Sequence, residues 1–561
     1  MLSEQAKIDL AKFPAILQQL LFNRGYSNDA DARAFLRGQT GYDTSPFQMT
    51  GMEAAVERIL YALDHHEPVV VYGDYDVDGV TATVLLVEAL NTLGLQASGY
   101  IPHRFDEGYG LNKEALKNLK EKGVGLVISV DCGVRSPDEA EYARQIGLDL
   151  VISDHHHPAE SLPPAFALIN PKQPGDQYPD KDLAGVGIAF KIAQALVERL
   201  TMRGGPVELR LETLLDLVAL GTVADLAPLT GENRMLVRKG LECIRTTGRQ
   251  GLFALAGVSD LAIGKTTATN IGFSLGPRLN AAGRLESALA AFTLLSTTDR
   301  HEAGVLAQKL EQQNRERQEL TRNIQIAAEQ IANEAGPDAN ILFAVHPDFN
   351  AGVVGLAASR LAEVHYRPAI VGTQGPESTR CSCRSIPEFH ITDALDKCAD
   401  LMVRHGGHAA AAGFTVSNEN LPELRKRLTE IADDELRGKD LRQTLSADMV
   451  VLLSDLKVEV LKYLEYLQPT GYGNPDAVFV SRNLQVKSSR TVGADAKHIK
   501  LTLTDGQVTL DAIGFRLGHM QQNMPKVVDA MFTFEMNEFN GRTSLQMNLK
   551  DLKAAGTPDD R

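Results

Sequence analysis

The stretch Val69-Val70-Val71-Tyr72-Gly73-Asp74-Tyr75-Asp76-Val77-Asp78-Gly79-Val80-Thr81-Ala82-Thr83 joins a strand pattern, an acidic segment and a helix pattern. Val69 to Tyr72 is an apolar run rich in β-branched residues, which is typical of a buried strand. The apolar run from Val80 to Leu90 predicts a helix. A strand followed by a helix places the acidic segment at the carboxyl edge of a parallel sheet, where open α/β proteins bind ligands.

Three carboxylates alternate within this segment, at Asp74, Asp76 and Asp78. Like charges this close repel one another, and burying them without partners is costly. A solvated acidic turn at the surface avoids that cost. A divalent cation also avoids it, because hard cations prefer oxygen ligands. The segment alone is compatible with either interpretation.

The composition bounds the class of protein. With 561 residues, 43% hydrophobic and 23% charged, the chain is long enough for three or four ordinary globular domains. The net charge of -15 argues against a protein that coats DNA non-specifically, but a nucleic-acid enzyme confines its basic residues to one groove. No apolar run approaches about 18 residues, and the first 23 residues lack the apolar core of a signal peptide, so we expect neither a transmembrane helix nor a signal peptide.

The cysteines indicate a reducing compartment. There are five of them, an odd and sparse set that favours a cytoplasmic location over a disulfide framework. The spacing of Cys381 and Cys383 is too tight for the usual zinc knuckle, so no zinc site is expected there.

Alternating strand and helix patterns follow the opening stretch and predict βαβ units with a parallel sheet. A helical segment is expected over 1–50, with a loop near its end, and a short helix over 52–64. The predicted strands are 68–72, 97–101, 125–130, 149–153 and 166–169, and the predicted helices are 80–93, 112–121, 137–146 and 209–220. From 185 to 246 the pattern is helical, with a loop expected from Thr222 to Gly231.

The second half of the chain predicts three further parts. The polar segment 301–335 reads as a long helix that bridges domains, because too little of it is apolar to be buried fully. A second α/β pattern follows over 340–435, and 438–441 is a candidate linker. Beyond a helix predicted at 448–466 and a turn-rich break at 469–475, five short strands predict a small β-barrel of the oligonucleotide-binding type; they lie near 477–480, 499–503, 509–513, 530–534 and 544–547.

Three more acidic or histidine clusters occur at similar places. Asp131 and the run Asp154-His155-His156-His157 each follow a predicted strand, and Asp225 is the single ionisable side chain in the stretch 221–229. Taken singly, Asp131 could cap a helix, the histidines could form an exposed loop and Asp225 could sit in a turn. All of them together at one sheet edge make coincidence a poor explanation.

The donor set suits a pair of cations. Two oxygen-rich cation sites about 3.5–4 Å apart typically share a bridging carboxylate. Four aspartates with one or two histidines, and no thiolate, favour Mn²⁺ or Mg²⁺ over a structural zinc.

These motifs resemble those of the DHH phosphoesterases: Asp74-Tyr75-Asp76-Val77-Asp78-Gly79, Asp131-Cys132-Gly133, Asp154-His155-His156 and Ala224-Asp225. Later motifs resemble the bacterial single-strand-specific exonucleases of that superfamily; they are Gly276-Pro277-Arg278-Leu279-Asn280-Ala281-Ala282-Gly283-Arg284, Ser382-Cys383-Arg384-Ser385-Ile386-Pro387, Gly406-Gly407-His408, Gly471-Tyr472-Gly473-Asn474-Pro475 and Asn540-Gly541-Arg542. The resemblance covers about 50 to 555.

The resemblance implies a domain order and a set of roles. The expected order is a helical segment (1–50), a DHH parallel-sheet lobe (51–300), a connecting helix (301–335), a smaller α/β lobe of the DHHA1 type (336–436) and an OB-fold-like barrel (440–556). Metal ligation is implied for Asp74, Asp76, Asp131, His155 and Asp225, with Asp131 bridging. His156 would face the scissile phosphate and Asp154 would orient the histidines, whereas Asp78 would cap the following helix or support the loop.

A pocket for a terminal 5′-phosphate is also implied, and arginine suits it because its planar fork binds two phosphate oxygens. The implied substrate-binding residues are Arg104, Arg278 or Arg284, Asn280, Ser382, Arg384, Ser385 and His408. Ordinary structural arginines and a core histidine are the alternatives. The barrel offers mixed basic and aromatic side chains to a single strand, namely Tyr472, Phe479, Lys487, Arg490, Lys497, His498 and Lys500.

Two positions depart from the family pattern. Asn350 stands where a histidine is expected before Gly352, and it cannot carry a charge to phosphate. Tyr72 stands where some relatives have histidine.

We therefore expect a cytoplasmic, monomeric, metal-dependent 5′-to-3′ exonuclease on single-stranded DNA in repair and recombination, working with a helicase and a single-strand-binding protein. Two lobes joined by a long helix would form a groove that admits one strand but not a duplex. A small-molecule phosphodiesterase or pyrophosphatase is one alternative, although such enzymes generally lack the bridging helix and barrel. A non-catalytic replisome scaffold is the other, although such proteins lose the ligands that this chain retains.

Overall fold

The computed structural model describes residues 2–38, 44–104, 107–108, 110–204, 207–333, 336, 339–539 and 541–558. Asn540 of the motif Asn540-Gly541-Arg542 and the predicted end of the connecting helix at 334–335 lie outside the described residues. Over the described parts of the chain, no helix is both long and apolar enough to cross a membrane.

A five-stranded parallel sheet forms the first lobe, with the strand order β2-β1-β3-β4-β5. The strands are β1 (Pro68–Tyr72), β2 (Gln96–Tyr100), β3 (Leu126–Val130), β4 (Asp149–Ser153) and β5 (Ala167–Ile169). The predicted strands differ from these by at most one residue at either end, because each is a short apolar run that the lobe buries. All five carboxyl ends lie at one edge, so the segments that follow them meet there.

Helices cover both faces of this sheet. They are α4 (Met52–Asp64), α5 (Val77–Thr92), α6 (Lys113–Glu121), α7 (Pro137–Gln145), α8 (Gly185–Met202), α9 (Leu215–Ala224), α10 (Gly231–Arg245), α11 (Gln250–Val258), α12 (Ala268–Asn270), α13 (Gly276–Leu285) and α14 (Leu289–Ser296). Helix α5 begins three residues earlier than predicted, because the Asp76 side chain accepts a hydrogen bond from the backbone N–H of Gly79 and caps the helix.

The predicted boundary near Gly221 is wrong. The sequence placed a helix at 209–220 and a loop from Thr222, but residues 211–214 form a 3₁₀ turn and α9 runs on to Ala224. Gly221 serves close packing instead of helix termination, since a Cβ there would lie 2.3 Å from Thr81 Oγ1 and 2.8 Å from Asp78 Oδ1. As a result Asp225 lies directly at the end of a helix.

A single long helix, α15 (Arg300–Asn333), leads to the second lobe. That lobe has the sheet order β6-β7-β8-β10-β9, in which only β6 and β7 are parallel. Its strands are β6 (Leu342–His346), β7 (Ala369–Gln374), β8 (Ser378–Arg384), β9 (Met402–His408) and β10 (Ala411–Ser417), and its helices are α16 (Val354–His365), α17 (Ile391–Asp396) and α18 (Leu421–Leu436).

The C-terminal part is a closed β-barrel. Its strands are β11 (Met449–Val450), β12 (Phe479–Val492), β13 (His498–Thr504), β14 (Thr509–Gly514), β15 (Val527–Phe539) and β16 (Arg542–Ala554), and its helix is α19 (Val458–Leu467). Pairing of β12 with β15 closes the sheet. The helix predicted at 448–466 is wrong in its first half, because Met449 and Val450 pair with Phe479 and Val480 as a short strand.

The N-terminal helices α1 (Glu4–Asp9), α2 (Ala15–Asn23) and α3 (Asp29–Arg37) pack on the barrel and share its hydrophobic core. Arg234 of α10 reaches into this junction and is 1% exposed. Its guanidinium donates to the carbonyls of Gln468 and Tyr466 and lies 4.2 Å from the ring centroid of Phe35. The first lobe and the barrel are therefore joined by a buried cation.

Candidate active site

The acidic loop after β1 holds two carboxylates beside a third from the next strand. Ligand atoms of Asp74, Asp76 and Asp131 all lie within 4.8 Å of one another. Asp74 is buried, and its Oδ1 has no hydrogen-bond partner among the described residues. The loop folds tightly because Gly79 lacks a side chain, since a Cβ there would lie 2.6 Å from the backbone nitrogen of Asp74.

A second group of ligand atoms adjoins the first through Asp131. His155 Nε2 lies 3.1 Å from Asp131 Oδ1 and 3.8 Å from Asp225 Oδ2. Both His155 Nε2 and Asp131 Oδ1 are buried without a hydrogen-bond partner in the described part of the chain. Asp131 reaches this position with a left-handed backbone, at φ 60°, and Gly185 gives it room because a Cβ there would lie 2.7 Å from Asp131 Cβ.

We call Asp74, Asp76, Asp131, His155 and Asp225 the acidic centre. Its electrostatics fit a pair of cations. Burial, together with neighbouring aspartates, raises the pKa of Asp74 and of Asp131 well above the ordinary range. Burial and the charges of Asp78 and Asp76 raise the pKa of Asp225 to about 8. Carboxylates in such a place ionise fully only with positive charge between them. The converging, unpartnered oxygens and imidazole nitrogen are the donor types that Mn²⁺ and Mg²⁺ take.

Asp78 has a different structural role from Asp74 and Asp76. Its carboxylate accepts hydrogen bonds from the N–H groups of Gly185 at 2.7 Å and Val186 at 2.9 Å, which is the N-terminal end of α8. The expectation that Asp78 caps the following helix is therefore wrong, since Asp76 caps that helix and Asp78 caps α8. Asp78 also lies within 4.8 Å of ligand atoms of His155 and Asp225, so it borders the acidic centre.

The two neighbouring histidines differ in charge. Asp154 accepts a hydrogen bond from His156 Nδ1 at 2.7 Å and from the backbone N–H groups of both histidines. Burial opposes a charge on His156, but the hydrogen bond to Asp154 together with the negative charges of Asp154, Asp225 and Asp76 outweighs it and raises the pKa of His156 to about 9. Burial and the charge of His156 lower the pKa of His155 to about 3, so His155 is the neutral imidazole that a metal requires.

Four arginines from separate elements lie close enough together to act electrostatically on Arg284; we call Arg104, Arg284, Arg317 and Arg384 the arginine cluster. Burial and the charges of Arg104 and Arg317 lower the pKa of Arg284 to about 10, with a smaller contribution from Arg384. Arg284 donates to the carbonyl of Gly352 in the second lobe. A Cβ at Gly355 would lie 3.3 Å from a guanidinium nitrogen of Arg384 and 3.4 Å from Ser382 Oγ. Four positive charges this close together in a partly buried place favour the binding of an anion.

Three predicted substrate residues are engaged within the protein. Arg278 pairs with Glu311 of α15 at 2.6 Å, so of the two alternatives Arg284, not Arg278, joins the cluster. Asn280 Oδ1 accepts a hydrogen bond from the N–H of Val77, beside Asp76. Ser385 donates its hydroxyl to the carbonyl of Phe389.

The second lobe reaches across to the histidines. His408, on strand β9, lies with its ring centroid 6.4 Å from that of His157. Arg317 was not anticipated from the sequence, because a polar helix contains many arginines and only the fold shows which of them adjoins Arg284.

The two departures from the family pattern have structural explanations. Asn350 Oδ1 accepts a hydrogen bond from the N–H of Gly352, so it shapes the turn that Arg284 contacts. The Tyr72 hydroxyl donates to the carbonyl of Gly110, and its ring stacks on that of Tyr100.

The barrel presents part of the predicted strand-binding surface. Phe479 is fully buried in the core, so its predicted contact with a strand is wrong. Tyr472 and the side chains of Lys487, Arg490 and Lys497 are exposed. Lys497 pairs with Asp495 at 3.0 Å, and Lys500 pairs with Asp511 at 3.3 Å.

Comparison with known proteins agrees with this architecture. The DHH family, N-terminal domain matches residues 68–222, the DHHA1 domain matches 338–434 and the RecJ OB domain matches 447–551. The chain is 39% identical to the single-stranded-DNA-specific exonuclease RecJ of Bacillus subtilis over 96% of this chain and 67% of that protein. It is 34% identical to RecJ of Escherichia coli over 97% of this chain and 96% of that protein.

Solved structures give the same likeness. A crystal structure of RecJ from Thermus thermophilus in complex with Mn²⁺ superposes with a TM-score of 0.84 at 28% identity, covering 99% of this chain and 78% of that one. A crystal structure of exonuclease RecJ bound to manganese superposes with a TM-score of 0.61 at 34% identity, covering 70% of this chain and 98% of that one.

Proposed function

The chain belongs to the RecJ family of single-stranded-DNA-specific exonucleases, and we propose that its acidic centre holds two divalent cations and hydrolyses single-stranded DNA from the 5′ end to 5′-mononucleotides. The observation that carries this proposal is the convergence of buried, unpartnered ligand atoms from Asp74, Asp131 and His155. The family alternatives are disfavoured: the barrel and bridging helix speak against a small-molecule phosphodiesterase, and the intact ligand set speaks against a non-catalytic scaffold.

Five residues would be the metal ligands. Asp74, Asp76 and Asp131 would hold one cation, and Asp131, His155 and Asp225 the other, with Asp131 shared. Structures of RecJ from Thermus thermophilus contain Mn²⁺ and Mg²⁺, and the same two ions suit this donor set. When bound, such a pair supplies hydroxide near neutral pH and neutralises charge on the attacking and leaving oxygens.

His156 and Asp154 would act on the scissile phosphate together. The proton on His156 Nδ1 is held by Asp154 Oδ1, and the raised pKa of about 9 keeps the ring positively charged at neutral pH. His156 Nε2–H is then a charged donor for a phosphate oxygen, and charge-assisted hydrogen bonds of this kind are about twice as strong as neutral ones. Asp154 is the positioning residue, because it fixes both the ring and the two backbone N–H groups of the histidines.

The polarity of the reaction would come from the arginine cluster. Arg104, Arg284 and Arg384, with Ser382, form an anion pocket suited to a terminal 5′-phosphate, and Arg317 adds to its charge. Asn280 shapes the loop after Asp76, and Ser385 steadies the end of β8. His408 approaches the strand from the second lobe.

The cellular setting is proposed on family grounds. We place the enzyme in the cytoplasm as a monomer that acts in DNA repair and recombination. A helicase would supply single strands with free 5′ ends, and a single-strand-binding protein would cover them.

A product assay tests the proposed function. A single strand labelled at its 5′ end should release labelled mononucleotide at once, whereas a 3′-labelled strand should shorten step by step. EDTA should stop both, and Mn²⁺ should restore them. Internal cuts, release from the 3′ end, or activity unaffected by chelator would contradict the proposal.

A further inference from the structure

Phe273 is a large apolar side chain left in solvent beside the acidic centre. It is 82% exposed and lies in a single π-helical turn, Ile271–Leu275, that leads into α13. Isolated exposed apolar residues are ordinary, but π turns occur frequently at functional sites. Leu226, which directly follows Asp225, is also exposed, at 69%, and has a left-handed backbone at φ 62°. Such a conformation in a non-glycine residue is strained and concentrates at functional sites.

The contacts of this segment show where Phe273 lies along the groove. Gly276 packs on the last turn of α9, since a Cβ there would lie 3.4 Å from Ala224 Cβ, next to Asp225. Asn280 accepts from Val77 beside Asp76, and Arg284 ends α13 in the arginine cluster. The helix therefore runs past the acidic centre, with the arginine cluster at one end and Phe273 beyond the other.

The face of this helix that carries Phe273 is the face turned to the acidic loop and the arginine cluster. Asn280 and Arg284 lie about two and three turns further along, which puts them on the same side as Phe273. The opposite side is occupied, because Arg278 pairs with Glu311 of α15 and Leu279 is buried. On the barrel side, Lys265 lies 3.7 Å from Glu538 of β15, so the barrel adjoins the chain shortly before Phe273.

We propose that Phe273 is a stacking platform for a base of the substrate strand on the 3′ side of the scissile phosphate, between the barrel and the cations. This inference rests on the proposed function. With a 5′-phosphate in the arginine cluster, about 16 Å of helix separates Arg284 from Phe273. Nucleotides rise about 3.4 Å each when stacked and more when extended, so the base concerned lies between the second and sixth nucleotides. An aromatic face accepts every base, which suits an enzyme that removes nucleotides in succession.

An abasic scan tests this stacking directly. The wild type, Phe273→Ala, Phe273→Leu and Phe273→Trp are compared on 5′-phosphorylated 12-mers, either complete or lacking one base at each position from the second to the sixth. On the complete strand, Phe273→Ala should lower kcat/KM by about 5- to 150-fold, mainly through KM, which is the range that one base–aromatic stack spans. Phe273→Leu should recover little, and Phe273→Trp most, of the wild-type value.

The decisive result is non-additivity at one position. Where the missing base is the one that stacks on Phe273, kcat/KM of the wild type should fall by the same factor as Phe273→Ala causes on the complete strand. The kcat/KM of Phe273→Ala should not fall further on that abasic strand. Equal losses from Phe273→Ala at every abasic position, or a change of less than twofold on the complete strand, would overturn the inference. If the wild type released no mononucleotides at all, the proposed function would fail instead.

Phe253→Ala is the matched control. Phe253 is an aromatic residue of the same lobe and is 53% exposed. It lies on α11, near residues that border the C-terminal half of α5, whereas the acidic loop lies at the N-terminal end of α5. Its replacement should leave kcat/KM unchanged on every strand. Circular dichroism and the melting temperature of each variant report whether the fold is retained, which is expected for an exposed side chain.

Discussion

The acidic centre and the arginine cluster adjoin each other, since Arg104 lies over the ring of Tyr75 between Asp74 and Asp76, but they are built in opposite ways. Every residue of the acidic centre comes from the first lobe, at the ends of β1, β3, β4 and α9. The arginine cluster draws on the loop after β2, on α13, on α15 and on β8 of the second lobe. On the proposed function, cation binding would depend on one sheet edge, whereas recognition of the strand's 5′ end would depend on how the two lobes and the connecting helix are arranged.

The largest effect is expected in the acidic centre. Asp131→Ala removes the carboxylate shared by both groups of ligands, so mononucleotide release should fall by at least about 10³-fold, beyond the 10- to 100-fold typical of residues that only support a metal ligand. Release is measured on a 5′-labelled strand with saturating Mn²⁺. Asp138→Asn, an exposed aspartate in the next helix, should behave as wild type. Near-normal activity of Asp131→Ala would contradict the assignment of the centre.

A smaller and more selective effect is expected in the arginine cluster. Arg384→Gln should lower kcat/KM on 5′-phosphorylated strands by about 10- to 150-fold, because a hydrogen bond to a charged group contributes about 1.5–3 kcal/mol. Strands with a 5′-hydroxyl should be affected little, so the preference for phosphate should collapse. Arg380→Gln, an exposed position on the same strand, is the control. Equal losses on both kinds of strand would mean that Arg384 does not read the terminal phosphate.

The charge contrast also predicts how metal stabilisation varies with pH. The pKa of Asp225 is raised to about 8 and that of Asp78 to about 7, chiefly by burial. A carboxyl whose pKa is raised on folding keeps its proton in the folded state, so the metal-free protein loses stability as pH rises from about 4 through about 8. A cation takes the place of those protons.

Mn²⁺ should therefore raise the melting temperature more at about pH 8 than at about pH 6. At 100 times the dissociation constant the rise at the higher pH should be about 5–10 °C. Differential scanning calorimetry measures both values, with Asp225→Asn expected to show a weaker dependence on pH. An increment that is the same at both pH values would argue against protonated carboxyls in the metal-free centre.

The smallest effect is expected where a predicted phosphate ligand is already paired. Arg278→Gln should change the preference for a 5′-phosphate by less than about threefold, because its charge is matched by Glu311. The loss should appear instead as a lower melting temperature, since Glu311, whose side chain is largely buried, then keeps only its pairing with the exposed Arg315. The ratio of kcat/KM values on phosphorylated and unphosphorylated strands is the measurement. A collapse of that ratio like the one expected for Arg384→Gln would return Arg278 to the arginine cluster.

The sequence predicts the acidic centre better than the arginine cluster for a physical reason. Asp74, Asp131 and His155 each follow an apolar run that can only be a buried strand, and parallel strands bring their carboxyl ends together. Asp78 has the same residue type and spacing as its neighbours, yet the N-terminus of α8 takes its oxygens. That helix starts far away in the sequence, so only the tertiary fold reveals it.

The arginine cluster has no comparable local signal. Its members lie on a loop, two helices and a strand, and family resemblance supplied Arg104, Arg284 and Arg384 but not Arg317. Resemblance also offered Arg278, which the fold directs to Glu311. One glycine led to a wrong helix boundary. Gly221 is typical of a helix end, but in the structure it lies inside α9 and makes room for Thr81. The five longer strands of the barrel were located because their apolar and polar residues alternate, but β12, β15 and β16 extend over 13 or 14 residues where four or five were predicted. Met449 and Val450 of β11 are too few to show a period.

The junction of the N-terminal helices with the barrel has a consequence for synthesis on the ribosome. Arg24 donates to Asn474, 450 residues further along the chain, and Leu20 and Phe35 share a core with residues of the barrel. At about 5–20 residues per second, translation needs about 20–90 s to bring those partners together. During that interval all strands of the catalytic lobe have been made, whereas the barrel that buries the apolar sides of α1 to α3 has not. Helices α1 to α3 are thus made before the catalytic lobe but reach their folded state after it.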